Sequence, residues 1–156
     1  MKNLAKAIIL FIITVTSLNL FAQDLQYKQD PWDKEKVNIL DSRGNKVGYY
    51  KVDAWDKSKI NVYDASGNLV KTVKNDNWDD KKTNTYNKNG NLQSSEKQDF
   101  WNKDRVNITD KNGNVIGYRE PDSYDKNKIN VFNRNGTKVG YYKKNYYSGD
   151  WEYFDI

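Results

Sequence analysis

The sequence repeats itself every 23 residues. "DPWDKEKVNILDSRGNKVGYYKV" (30–52) is followed by "DAWDKSKINVYDASGNLVKTVKN" (53–75), and windows with the same skeleton begin at Asp76, Asp99 and Asp122. A fixed period of this length builds one supersecondary unit per copy, and each unit buries its apolar face against its neighbours. Within the first copy "KVNIL" alternates and is β-rich, "DSRGN" carries turn chemistry, and "KVGYYKV" is a second β-rich run. Asp41 can accept backbone hydrogen bonds there and Gly44 can take a positive φ. Two such runs joined by a short Gly-containing loop make a β-hairpin. "DPWDK" then turns the chain toward the next one.

The closing stretch "NYYSGDWEYFDI" begins a sixth copy, in which "WEYFD" echoes "INVYD" after one deletion. A lone last strand is placed to pair with the N-terminal edge near "LQYK" (25–28), and closure removes exposed sheet edges. The expected fold is therefore all-β. Five full antiparallel hairpins and a partial sixth, about ten to twelve strands, close into a small barrel or ring. The alternative is an open single-layer solenoid of stacked hairpins.

The first residues read differently. Lys2 and Lys6 precede an apolar run, Ala7 to Leu20, and Ala22 offers a small residue for cleavage before Gln23. That pattern is a secretory signal peptide over 1–22. The run is short for a membrane span and is diluted by Thr14, Thr16, Ser17 and Asn19. Residues 23–29 then form an N-terminal segment, and 30–156 the repeat domain. The expected location is secreted or periplasmic, with no span after cleavage and no lipidation, since the chain has no cysteine.

Without residues 1–22, 24 Lys plus Arg face 21 Asp plus Glu, a net charge of +3. So mild an excess does not argue for nucleic acid as a partner. Histidine is absent too, which removes the commonest general base and metal ligand together. No cofactor and no metal site are expected. The recurring pairs Asp30/Asp33, Asp53/Asp56, Asp76/Asp79 and Asp122/Asp125 are distributed like architecture, and turn-end Asp caps backbone groups. "DSRGN" and "DKNGN" lack the terminal Glu of a calcium loop and read as turns.

Period two sorts the side chains onto two faces. The expected core face holds Val37/Ile39, Ile60/Val62, Thr83/Thr85, Val106/Ile108 and Ile129/Val131 on the first strands. On the second strands it holds Val47/Tyr49, Val70/Thr72, Gln93/Ser95, Ile116/Tyr118 and Val139/Tyr141. The opposite face carries a basic series, Lys36, Lys59, Lys82, Arg105 and Lys128, and an invariant one, Asn38, Asn61, Asn84, Asn107 and Asn130. Asn is a poor strand residue. Either the asparagines satisfy the adjacent "DxWD" turns, or they line a polar ring around a ligand. The basic series is either a solvated face or a contact for phosphate-rich lipid or anionic glycan.

The aromatic series is the other candidate site. Trp32, Trp55, Trp78 and Trp101 hold one repeat position, continued by Tyr124 and Tyr147. The opening expectation is that each ring plugs the gap between successive hairpins. The functional alternative is a comb of rings that stack on sugars or choline-like groups. Tyr50, Tyr63, Tyr86, Phe132 and Tyr142 are read as aromatics of the outer face.

The repeating "KINVYD..GN.VGYYK" hairpins behind a signal peptide resemble the bacterial β-flower proteins. That resemblance implies a shallow, symmetric barrel of radiating hairpins with an apolar channel, remotely similar to the tubby C-terminal domain. It carries no established activity with it. The expected function is a non-enzymatic, secreted or cell-envelope binding or structural module. The alternatives are a carbohydrate or cell-wall binder using the Trp/Tyr series, and a lipid or membrane-surface binding barrel. The partners implied are an envelope glycan or lipid.

Overall fold

The structure is a computed structural model and describes residues 24–156. The expected signal segment, 1–22, and its cut before Gln23 lie outside the described residues. Twelve strands follow in chain order: β1 (Leu25–Gln29), β2 (Lys36–Asp41), β3 (Lys46–Val52), β4 (Lys59–Asp64), β5 (Leu69–Asn75) and β6 (Lys82–Asn87), then β7 (Leu92–Gln98), β8 (Val106–Asp110), β9 (Val115–Pro121), β10 (Lys128–Asn133), β11 (Lys138–Lys144) and β12 (Trp151–Asp155). Each pairs antiparallel with the next, and β12 returns to β1, so the sheet is a closed up-and-down barrel. The closing pair is Leu25 opposite Tyr153, Gln26 opposite Glu152 and Tyr27 opposite Trp151. The lone sixth strand thus does what the sequence asks of it, and the open solenoid is excluded.

The two ends of the barrel use different turns. At one end each hairpin closes over a turn such as Asp41–Asn45. Asp41 Oδ1 accepts from the Arg43 and Asn45 amides, Oδ2 accepts from the Asn45 side chain, and Gly44 sits at φ 84°. At the other end the "DxWD" loops join one hairpin to the next.

Every hairpin contains a β-bulge. Ile39 lies opposite Gly48, but Leu40 lies opposite Lys46, so Val47 has no partner. Val70, Gln93, Ile116 and Val139 are skipped in the same way. A bulge resets which side chains face inward on the strand that follows. The expected first-strand core is correct: Val37, Ile39, Ile60, Val62, Thr83, Thr85, Ile108 and Val131 are buried, and Val106 and Ile129 half-buried. The second-strand assignment is off by one residue. Residues directly opposite share a face. Val37 faces Tyr50 and Ile39 faces Gly48, so Gly48/Tyr50, Lys71/Val73, Ser94/Glu96, Gly117/Arg119 and Gly140/Tyr142 point in. Tyr49, Thr72 and Tyr118 line the outer wall instead. Tyr50 and Tyr142, read as outer aromatics, are buried at 2% and 0% exposure.

The interior has two halves. Tyr27, Tyr50, Tyr142 and Tyr153 pack with Val37, Ile39, Ile60, Val62, Val73 and Val131 as the apolar half. Lys71, Thr83, Thr85, Ser94, Glu96 and Arg119 are buried as well and form a polar half. Arg119 donates to Glu96 Oε2 through Nε at 3.2 Å and Nη2 at 3.0 Å. The wholly apolar channel implied by the β-flower resemblance is therefore not what this interior offers. The third copy, whose inward residues are Thr83, Thr85, Ser94 and Glu96, lines the charged side.

Candidate functional site: an aromatic crown and the barrel mouth beneath it

The six inter-hairpin loops all lie at one end of the barrel, because an up-and-down chain returns to the same end every second strand. Each begins with Asp30, Asp53, Asp76, Asp99, Asp122 or Asn145, and two residues on comes the aromatic. In the first loop Asp30 Oδ1 accepts from the Trp32 and Asp33 amides at 3.0 and 3.1 Å. The same two-amide cap recurs at Asp53, Asp76, Asp99 and Asp122, and at Asn145 for Tyr147 and Ser148. The side chain thus bends the backbone into a tight knuckle with the aromatic at its tip.

The second oxygen of each cap explains the invariant asparagines. Asn38 Nδ2 donates to Asp30 Oδ2 at 3.0 Å, and Asn61, Asn84, Asn107 and Asn130 donate equivalently to Asp53, Asp76, Asp99 and Asp122. These bonds favour the charged carboxylate. The Asn38 amide, helped by the Trp32 amide, pulls Asp30 down to about 2, and Asn130 does the same for Asp122. The Asp56 and Trp55 amides, with Asn61, hold Asp53 lower still.

The basic series buttresses these loops. Lys36, Lys59, Lys82 and Lys128 lie 3.2–3.8 Å from Asp30, Asp53, Asp76 and Asp122. The second loop acid pairs with a lysine two strands along, as in Lys51–Asp33, Lys74–Asp56, Lys97–Asp79 and Lys143–Asp125. The fourth copy breaks and repairs the pattern. Asn102 stands where the others have Asp, Glu120 stands where they have Lys, and Arg105 pairs with Glu120 at 3.2 Å. Arg105 also lies 4.1 Å from the Tyr118 ring centroid, and Lys36 and Lys128 lie over Tyr49 and Tyr141. The asparagine and basic series are thus brought together, at the foot of the loops, on the outer wall, with the Asn amide nitrogens and the cations engaged by the acids beside them, while the Asn38 and Asn130 amide oxygens are buried without a partner among the described residues.

The aromatic tips are the reverse of what plugging would give. Trp32, Trp55, Trp78, Trp101, Tyr124 and Tyr147 are 88–99% exposed. The expectation that they fill the gaps between hairpins is corrected here. The Asp cap lifts each ring away from the wall, and stacked outer-wall pairs such as Tyr49–Tyr63 and Tyr118–Phe132 cover the strands below. Phe100 and Tyr146 widen two tips, packed edge-on against Trp101 and Tyr147. The result is a crown of aromatic tips around the barrel mouth. The signal for it was present in "DxWD", since an Asp two residues before an aromatic is an Asx-turn pattern.

Beneath the crown, at the seam where β12 meets β1, the mouth holds a pocket of about 220 Å³. It is lined by Tyr27, Gln29, Val37, Tyr50, Lys144, Gly149, Asp150 and Trp151. No individual sequence motif marks it, because its walls come from both ends of the chain.

No family model matches this chain, and no curated protein matches it. Among solved structures, the X-ray structure of a protein from Arabidopsis thaliana is similar in fold. The two share 12% identity with a TM-score of 0.63, over 85% of this chain and 79% of that one.

Proposed function

We propose that the chain is a non-enzymatic, envelope-facing binding module that docks through its aromatic crown onto the headgroup layer of an anionic membrane. One observation carries the reading: the same repeat position puts an almost fully exposed Trp or Tyr at the tip of all six loops. Holding six large rings in water is unfavourable. A ring of tips at one end of a barrel matches a plane better than it matches a linear polymer. Trp and Tyr settle at membrane–water interfaces, where one side of the ring is apolar and the other wet. Lys57 pairs with Glu35, while Lys34, Lys81, Lys103 and Lys126 stand exposed beside the tips with no ion pair among the described residues. Near an anionic surface each such charge adds about 1 kcal/mol of attraction. Strands of five to seven residues, with paired charges on the outer wall, favour lying on a membrane over spanning it, which takes about 9–11 residues per strand. The expected export signal and the β-flower resemblance fit this reading.

The test is sedimentation with vesicles containing phosphatidylglycerol, read beside tryptophan fluorescence. The folded chain alone should emit red-shifted and be readily quenched by acrylamide. On vesicles the emission should shift to the blue, and rising salt should weaken binding. The double substitution Trp55→Ala, Trp78→Ala should lower vesicle affinity at least tenfold. A folded chain that ignores anionic vesicles at low salt would sink the proposal.

A further inference from the structure

We infer that the seam pocket under the crown is a binding site for a single neutral pyranose, free or displayed on an envelope glycan or glycolipid. This concerns residues outside the crown and does not depend on membrane docking.

The sixth, partial copy departs from the repeat where the pocket lies. Register places Trp151 opposite Lys144 as Ile60 is opposite Val52. Trp151 therefore stands at the inward position that Val37, Ile60, Thr83, Val106 and Ile129 occupy in the full copies. Lys144 and Gln29 stand where Val52, Asn75, Gln98 and Pro121 do. An indole thus replaces a small group and an amine replaces a neutral one at this point of the mouth, Gln29 brings an amide like those of Asn75 and Gln98, and Asp150 joins them from the loop.

These groups are open for a ligand. Lys51, Lys74, Lys97 and Lys143 each hold a loop acid, whereas Lys144 and Asp150 form no ion pair among the described residues. The Gln29 amide nitrogen is spent on the Asp33 and Lys36 carbonyls, which leaves its oxygen as an acceptor. The Tyr50 hydroxyl is buried and has no hydrogen-bond partner, a costly state for a polar group unless something else supplies the bond.

The chemistry narrows the ligand. Trp151, half-buried, offers a ring face for an apolar C–H surface, and the buried Tyr27 and Tyr50 back the wall beside it. Asp150 accepts and Lys144 donates, so a lone cation meets the lysine and a lone anion meets the aspartate. A ring bearing several hydroxyls, each both donor and acceptor, satisfies both. At about 220 Å³ the pocket is smaller than the roughly 300–1,000 Å³ of sites for drug-sized ligands, so it suits one ring and not a chain.

The experiment titrates the full purified chain with a panel of methyl pyranosides, N-acetylated ones included, followed by protein-observed NMR. A second arm uses phosphatidylcholine vesicles with and without a glycosyl diacylglycerol. Saturable binding of at least one pyranoside is expected. Asp150→Asn and Tyr50→Phe should each weaken it at least tenfold, and Lys111→Ala, in an exposed hairpin turn at the opposite end of the barrel, should leave it unchanged. Tyr50→Phe removes a hydroxyl without a partner, so it keeps the fold and reads the site alone. Binding confined to the glycolipid vesicles would assign the sugar to a lipid headgroup, and binding in solution to a free or glycan-borne one. No saturable binding in either arm overturns the inference. So does binding indifferent to either pocket substitution, or a preference for a zwitterionic amino acid such as glycine over every pyranoside.

Discussion

Lys71 stands on β5 at the inward position that Gly48, Gly117 and Gly140 fill on β3, β9 and β11. It is 4% exposed and makes no ion pair among the described residues. Burial pulls its pKa down to about 8, and the field of Glu96 offsets part of that. The native state therefore releases the proton before the unfolded chain does. Below pH 8 both states hold the charge and the penalty is complete. Between pH 8 and the unfolded value of about 10.5 the unfolded chain binds more protons, so stability rises with pH. Urea midpoints should climb between pH 8 and about 9.5, below the range where tyrosines ionise. Lys71→Met should abolish the climb and add on the order of 3 kcal/mol at pH 7. Glu96→Gln should act in the opposite direction. It removes the carboxylate to which Arg119 donates at 3.0 Å and leaves Lys71 and Arg119 as two cations in the interior. A loss of about 3–5 kcal/mol is expected, read from the same denaturation curves.

At the scale of the hairpin and its loop, the period, the turn residues and the strand order were all legible. So was the inward face of β2, β4, β6, β8 and β10, because simple alternation governs it. The inward face of the odd strands was not. One extra residue per hairpin, Val47 in the first copy, resets the alternation. Nothing in "GNKVGYY" announces which residue is skipped, though Gly48 hints at it: a Cβ there would sit 2.6 Å from the Tyr63 carbonyl oxygen. The crown was legible in principle, since the Asp cap is local, but hydrophobicity alone argued for burying the rings. The seam pocket was not legible, because Tyr27 and Trp151 meet only through closure. The loops carry their own prediction. Asn61 is buried, donates to Asp53 and accepts from the Thr72 hydroxyl at 3.2 Å. Asn61→Ala should cost about 1–2 kcal/mol by leaving those groups unpaired. Acid should loosen the crown in all the Asp-capped loops. The cap carboxylates are held below their ordinary value of 3.8. Their stabilisation is complete above that value and is lost as the pH falls toward 2. Amide exchange at Trp32 and Tyr124, followed across that window, should accelerate before the strands open.

For the whole molecule the decisive contact is the smallest one. Adjacent strands elsewhere pair mostly over five residues, as β3 and β4 do, whereas β1 and β12 pair over three. Yet the residues that face each other across it are large, Leu25 opposite Tyr153 and Tyr27 opposite Trp151, and Tyr153 is buried, packs 4.8 Å centroid to centroid from Tyr142 on β11, and leaves no room for a side chain at Gly140. The seam is therefore short in hydrogen bonds and dense in aromatic packing. Deleting 151–156 removes β12 and exposes two long edges, β1 and β11, whose unpaired amides and carbonyls invite pairing with other copies. It also uncovers Tyr27 and Tyr142. In a stacked solenoid the same deletion would only shorten the array and subtract one interface from its stability. The closed barrel predicts a cooperative failure. The truncated chain should leave the monomer peak in light scattering after size exclusion and lose the single urea transition of the full chain. Tyr153→Asp separates the two contributions. It keeps the strand and its backbone partners but places a charge in the apolar half of the interior, and it should open the seam nearly as completely as the deletion. Were Tyr153→Asp to stay monomeric and stable, backbone pairing alone would be closing the barrel, and the aromatic packing at the seam would be spare.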